Sequence, residues 1–420
     1  MPHAVAVAVG VLAVGTAVVA VVRQRWALTG LAVGLAGLSA LANGVDRPAL
    51  GDGVNAVVFV AAMVLVAAGA ERSGLLAALA GGLVRRVGGH LRLLLATFVG
   101  GVAVTTFLNL DTTAVLFTPL ALSIAVAAGA DVVPFALAAL AAANFGSMLL
   151  PTSNLTNLVL WRHSGSSFLA FARSLLAVAV VSCAVVAGAL VVVTVVRSRR
   201  APVAMASSAS ALANGMAPGA RAGRLAPDVG SDCAPDVGSD VGPGVTDSRL
   251  AGVSGVAIAA LVVAFTVGVP VAVGAVVAAA AVLAVRRSLW GERLPMVLAV
   301  AVLALFAAAG SLRVSVDVAA RVSSWSAAGL ASGGMLLANV GSNLASVLLL
   351  EPVATTAALR RGLLIGVNLG AGLTPIGSLA TILWRDALRR READVSWSTF
   401  AAFSCPLSIM LVATTLLVAR

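Results

Sequence analysis

Lysine and tyrosine are absent from this 420-residue chain, and charged residues of every kind make up only 10% of it. Against 60% hydrophobic residues and a mean hydropathy of +1.08, so little charge excludes an ordinary soluble domain. Cysteine is scarce as well: Cys183, Cys233 and Cys405 stand too far apart to suggest a disulfide or a metal centre. All 27 basic residues are arginines, and the net charge is +11. They fall in short clusters between apolar runs, which is the pattern of topogenic charge and not of a nucleic-acid surface. The apolar N-terminus lacks a basic n-region and a small-residue cleavage site, so it reads as a first membrane span. The wealth of Ala, Val, Gly and Arg reads as codon usage.

What remains is a series of apolar runs near the roughly 20 residues that cross a bilayer. Spans are predicted near 4–22, 26–45, 51–70, 132–160 (broken) and 167–196, and again near 250–268, 269–285, 294–311, 361–384 (broken) and 398–419. Each half also holds a pair of apolar arms, at 91–108 with 113–129 and at 324–341 with 345–359. An amphipathic stretch covers about 71–89. The expected fold is therefore all-α and polytopic: about ten transmembrane helices and two re-entrant hairpins in an inverted repeat. Residues 1–196 form the first repeat, 197–249 a disordered cytoplasmic linker and 250–420 the second repeat. The linker assignment rests on Ala226-Pro-Asp-Val-Gly-Ser-Asp232, repeated at Ala234–Asp240, a polar composition that cannot bury a core.

Arginine placement fixes the expected orientation. Arg23/Arg25, Arg72/Arg85/Arg86/Arg92, Arg197/Arg199/Arg200, Arg286/Arg287 and Arg385/Arg389/Arg390/Arg391 all fall on the cytoplasmic side if both termini are outside and both arm pairs are re-entrant. The two halves are then inverted relative to each other.

The motif that carries most information occurs once per half. Asn144-Phe-Gly-Ser-Met-Leu-Leu-Pro151 leads to Trp161-Arg162, and Asn368-Leu-Gly-Ala-Gly-Leu-Thr-Pro375 leads to Trp384-Arg385. Such breaks inside apolar helices leave backbone groups that lipid cannot satisfy, so they belong where they are buried in protein or line a polar cavity. Matched breaks in two halves point to a transporter's binding site. Gly146, Gly370 and Gly372 would allow close backbone approach. Trp161, Trp384, Arg162 and Arg385 read as interfacial anchors, and His90 and His163 as solvated residues beside basic loops.

Asp111 is the one acid expected within the membrane, at the tip of the first arm pair. It would cap the second arm, serve transport, or do both. The matching tip is Ser342-Asn343-Leu344, and Glu351 is a second candidate acid nearer the outer surface. Candidate substrate ligands are Asn109, Thr112 and Thr113 with Ser342 and Asn343 at the tips, and Ser153, Asn154, Thr156, Gly377 and Ser378 at the breaks. Asp111 is the candidate proton-coupling group. Ser346, Thr152, Thr374 and Thr381 lie close by in this scheme. Hydroxyls and amides at half-helix ends can hold a polar solute or an ion. No catalytic residue set, metal centre or cofactor is expected, and the chain does not read as an enzyme.

These residues carry a resemblance. Thr374-Pro-Ile-Gly-Ser-Leu-Ala-Thr-Ile-Leu-Trp384 resembles the C-terminal signature of the arsenical pump membrane protein family. Leu150–Asn157 is similar to that family's Ser-Asn-Leu-Val-Asn passage, and Leu110–Pro119 to its Asn-Asp-Gly hairpin, with Leu110 and Thr112 in place of its Asn and Gly. The resemblance implies the ion transporter superfamily, with the citrate and dicarboxylate carriers and certain sodium/proton antiporters. It also implies a prokaryotic plasma membrane, a small inorganic solute and protons as partners, and no nucleic acid. A homodimer and a cytoplasmic ATPase subunit remain open.

Charge ranks the substrates. A fixed carboxylate at Asp111 repels a unit negative charge 4 Å away by about 4 kcal/mol at an effective dielectric near 20. Neutral trihydroxides of arsenic or antimony meet no such barrier. One proton charge moving inward through ~100 mV supplies about 2.3 kcal/mol, roughly a fortyfold gradient of a neutral solute. The expectation is efflux of arsenite or antimonite in exchange for protons. The alternative is a sodium/proton antiporter or a sodium-coupled di- or tricarboxylate carrier.

Overall fold

Short polar side chains start many of the helices. In the computed structural model, which describes residues 3–213, 247–291 and 296–418, α1 (His3–Arg23) and α2 (Trp26–Asn43) lead to α3 (Arg47–Arg72). Asp46 caps α3 by accepting from the Ala49 amide at 3.0 Å, satisfying one of the amides a helix start leaves free. The amphipathic α4 (Leu75–Arg86) precedes the first arm pair, α5 (His90–Leu108) and the segment Leu110–Ala127. That second arm comprises α6 (Leu110–Thr112), a wide π turn at Thr113–Phe117 and α7 (Thr118–Ala127).

The first broken span is α8 (Val132–Phe145), an irregular stretch, and α9 (Leu155–Arg162). α10 (Phe168–Ala213) follows, and α11 (Ser248–Thr266), α12 (Val271–Val285) and α13 (Met296–Ser315) repeat the order of α1–α3. Past the short α14 (Val318–Val322) comes the second arm pair, α15 (Ala327–Gly341) and α16 (Asn343–Leu350). The second broken span is α17 (Ala357–Leu364), a π turn at Ile365–Leu369, a tight turn at Gly370–Leu373 and α18 (Leu379–Arg390); α19 (Trp397–Val418) ends the order. Among the described residues, nine helical segments are long and apolar enough to cross a membrane, both arms of the first pair included.

Three expectations need correction. The arm expected at 345–359 stops at Leu350, because Pro352 lacks the amide that would continue the ladder. The linker expected from 197 begins as helix, since α10 runs to Ala213; residues 214–246 lie outside the described residues. The apolar run at 269–285 forms only the 15-residue α12, short for a span by itself.

The helices group into two bodies. α1, α2, α3, α11, α12 and α13 pack chiefly on one another, while α5–α10 pack with α15–α19. In the first body, Ser39 and Ser311 hydroxyls meet at 2.6 Å between α2 and α13. In the second, Gly362, Gly366 and Gly370 face Ala327, Ala331 and Met335 of α15 so closely that a Cβ at Gly366 would overlap the Ala331 carbonyl. Glycines at this spacing let two membrane helices touch backbone to backbone.

Candidate transport site

The two broken spans hold each other in the second body. Asn144 in the first donates its side-chain amide to Thr381 Oγ1 in the second, at 3.0 Å. Asn368, the counterpart of Asn144, donates to Asn157 Oδ1 at 2.8 Å. Counted from the helix starts after each break, Asn157 and Thr381 are themselves counterparts. The bonds are thus reciprocal, as across a two-fold axis. Asn368 Oδ1 also accepts from Thr156 Oγ1 at 2.7 Å and from Asn154 Nδ2 at 3.1 Å.

The two arm tips share one uncommon backbone conformation. Asn109 has φ 93° and ψ 166°, Ser342 φ 73° and ψ 157°. This region is essentially reserved for glycine and costs on the order of 1–3 kcal/mol for other residues, persisting where surroundings fix it. Asn109 recovers part of the cost by accepting from the Thr112 amide at 2.9 Å. The cap of the second arm is therefore Asn109, which leaves the Asp111 carboxylate unused by the helix start. At the second tip, the Asn343 amide donates to the Gly377 carbonyl at 3.0 Å, tying the tip to the second break. Asn339 adds to this tie: its Nδ2 donates to the Gly370 carbonyl and its Oδ1 accepts from the Thr374 amide, both at 2.8 Å.

Tips and breaks converge on a cavity between the two bodies, with about 120 Å³ of water-accessible volume, room for several waters or a small solute. Asp111, Ser342 and Asn343 from the tips and Asn154 and Ser378 from the breaks line it. The first body supplies an apolar wall that includes Val21, Ala56, Val57, Met296 and Val302. Among the described residues, Asp111 is the only ionisable one lining it, and no described guanidinium or imidazole faces the cavity to balance an anion. Ser378 Oγ is buried and makes no hydrogen bond among the described residues.

The six remaining candidates lie elsewhere. Asn109 is a cap, and Thr113 Oγ1 donates to its carbonyl at 2.9 Å. Ser153 donates to the carbonyls of Ser147 and Leu150, and Thr156 to Asn368. Gly377 supports the second tip, and Thr112 is buried behind the first. None of these six lines the cavity.

Two expectations outside the cavity fail. Trp384 is not an interfacial anchor: it is fully buried and donates Nε1 to the Ala136 carbonyl at 2.8 Å. His163 is not simply solvated, since both its ring nitrogens meet carboxylates, Asp52 at 3.1 Å and Glu351 at 3.3 Å. Sequence reasoning also passed over Asn157 and Asn339, whose signal was an amide inside an otherwise apolar run.

A cavity enclosed by paired helix tips and paired broken helices, in a chain of many apolar helices, defines a multi-pass membrane protein and a secondary transporter. A family model described as citrate transporter matches residues 2–367, and the chain belongs to that family. A second model, described as arsenical pump membrane protein, matches residues 335–420, which hold the end of α15, all of α16 and the second break. The chain also shares the fold of the YdaH transporter of Alcanivorax borkumensis, whose crystal structure is described as having an unusual topology. The TM-score is 0.51 at 18% identity, over 89% of this chain and 86% of that one.

Proposed function

We propose that this transporter exports arsenite and antimonite as neutral trihydroxides in exchange for protons, with Asp111 as the coupling carboxylate. The observation that carries the reading is the charge of the cavity among the described residues: one carboxylate, no basic group, and amides and hydroxyls from Asn154, Ser342, Asn343 and Ser378. Such a lining can hydrogen-bond a neutral polyhydroxy solute and desolvates no second charge. Inward proton movement would supply the driving force. In this reading residues 1–196 and 250–420 are inverted repeats joined by 197–249, the two arm pairs are re-entrant, and the arginine clusters are cytoplasmic.

The family match over 2–367 favours a second reading, a carrier of citrate or a related carboxylate. Free citrate would have to sit beside Asp111 with no cation among the described wall residues, which weighs against it unless a cation accompanies it. Transport by purified protein in proteoliposomes separates the two. Proton-driven movement of arsenite with no movement of labelled citrate supports the first reading; citrate movement without arsenite movement replaces it with the second.

A further inference from the structure

Six ionisable side chains, scattered from position 46 to position 351, gather at one end of the molecule. Arg313 of α13 pairs with Asp46 at 2.7 Å and with Glu351 at 3.0 Å. His163 pairs with Asp52 and Glu351, and Arg162 Nε meets Asp52 at 3.0 Å. The end is the one opposite the arginine clusters, because α2 and α13 both reach it after starting near Arg25 and Arg287. Asp46, Asp52 and Arg313 belong to the first body, and Arg162, His163 and Glu351 to the second. Three of the five pairs therefore cross between bodies: Arg162–Asp52, His163–Asp52 and Arg313–Glu351. The cavity, by contrast, reaches toward the other end, where Val21, Val22 and Met296 line it.

His163 is the one member whose charge changes near neutral pH. Its Nε2 faces Asp52 and its Nδ1 faces Glu351. A neutral imidazole has one N–H, so one carboxylate would face a lone pair; only the imidazolium donates to both. With it the cluster balances three positive groups against three negative ones, and without it one negative charge is in excess. Other charged groups on the elements packed here are Arg47 of α3, Asp317, which caps α14, Arg321 of α14, and Arg360 and Arg361 of α17. Arg360 donates to the carbonyls of Ala354 and Thr355.

We propose that His163 is a proton-sensitive latch, which when protonated holds the two helical bodies together at this end and so keeps the cavity closed to that side. The hydrogen bond to Asp52 holds its imidazole above the usual histidine range; burial opposes this, the charges of Glu351 and Asp52 add to it, and Arg313 lowers it. The sign follows. A pKa raised in the latched state gives protonation its full stabilising effect below the pKa of a free imidazole, and the effect is lost as pH rises through the latched value.

The test needs neither substrate nor knowledge of sidedness. With Cys183, Cys233 and Cys405 replaced by serine, spin labels go on Val45 of the first body and Thr355 of the second, both exposed and both near the cluster. In nanodiscs at pH 6 the full-length protein should give one short interlabel distance. At pH 8.5 a longer component should grow several-fold. His163→Gln should show that component at both pH values, and His163→Arg, which keeps a positive charge, should suppress it at both. A wild-type distance distribution that ignores pH, or a His163→Gln protein that keeps the wild-type pH response, would overturn the latch.

Discussion

Asn368 and Asn157 join the two halves of this protein through a side-chain hydrogen bond of 2.8 Å, and Asn144 with Thr381 forms the mirror of that bond at 3.0 Å. The halves are unequal in one respect. Asn368 satisfies three partners from the first break, whereas Asn144 Oδ1 has no partner among the described residues.

That asymmetry predicts unequal mutational cost. Asn368→Ala leaves Asn157 and Thr156 buried and short of a partner, so it should destabilise by about 2 kcal/mol, given 1–3 kcal/mol per stranded buried polar group and less where membrane helices find substitutes. Asn144→Ala breaks one bond and should cost about half as much. Thermal unfolding of the purified protein in detergent gives the order; equal losses would show that the reciprocal pairs carry equal load.

The stripe of glycines on α17 and its π turn makes a sharper prediction. A methyl at Gly366 would overlap the Ala331 carbonyl, while one at Gly15 of α1 meets nothing within 4 Å. Gly366→Ala should lower membrane abundance severalfold and Gly15→Ala should leave it unchanged, read by quantitative blotting against total expression. Normal abundance of Gly366→Ala would mean that α15 can move away without loss.

Tip strain can be read from substitutions at Asn109 and Ser342. Ser342→Gly relieves an unfavourable backbone conformation and removes no side-chain cap, so the protein should be as stable as wild type or more so. Asn109→Ala keeps the strain and loses the cap to Thr112, and should cost about 1–2 kcal/mol. Melting temperatures that rank these two the other way would contradict the backbone argument.

Much of this architecture was legible in the residue order. Asn/Gly/Pro breaks within apolar runs are costly unless paired, and that cost located both broken spans, while the polar joints between paired apolar arms located both tips. Asp111, Asn154, Ser342, Asn343 and Ser378 do meet at one cavity. What the order hid was division of labour: whether Asn109 or Asp111 caps an arm depends on one backbone angle, and Thr156 faces Asn368 and not the cavity because of how α9 is turned. Trp384 looked like Trp161 in sequence but lies under α8, a difference of packing and not of motif. The cluster around His163 was hidden more deeply. Its members come from the ends of three helices, α3, α9 and α13, and a turn at Glu351, each ordinary alone, and only the fold assembles them.

Asp111→Asn tests the central claim most directly, because it removes the one charge that the described residues bring to the cavity while keeping its shape and much of its hydrogen bonding. In everted membrane vesicles energised by a proton gradient, wild-type protein should accumulate arsenite, and Asp111→Asn, at equal abundance, should lose that gradient-driven accumulation while still binding arsenite. Wild-type accumulation by Asp111→Asn, with an unchanged dependence on pH, would contradict the account and move the coupling group elsewhere, with Glu351 the next acid to examine.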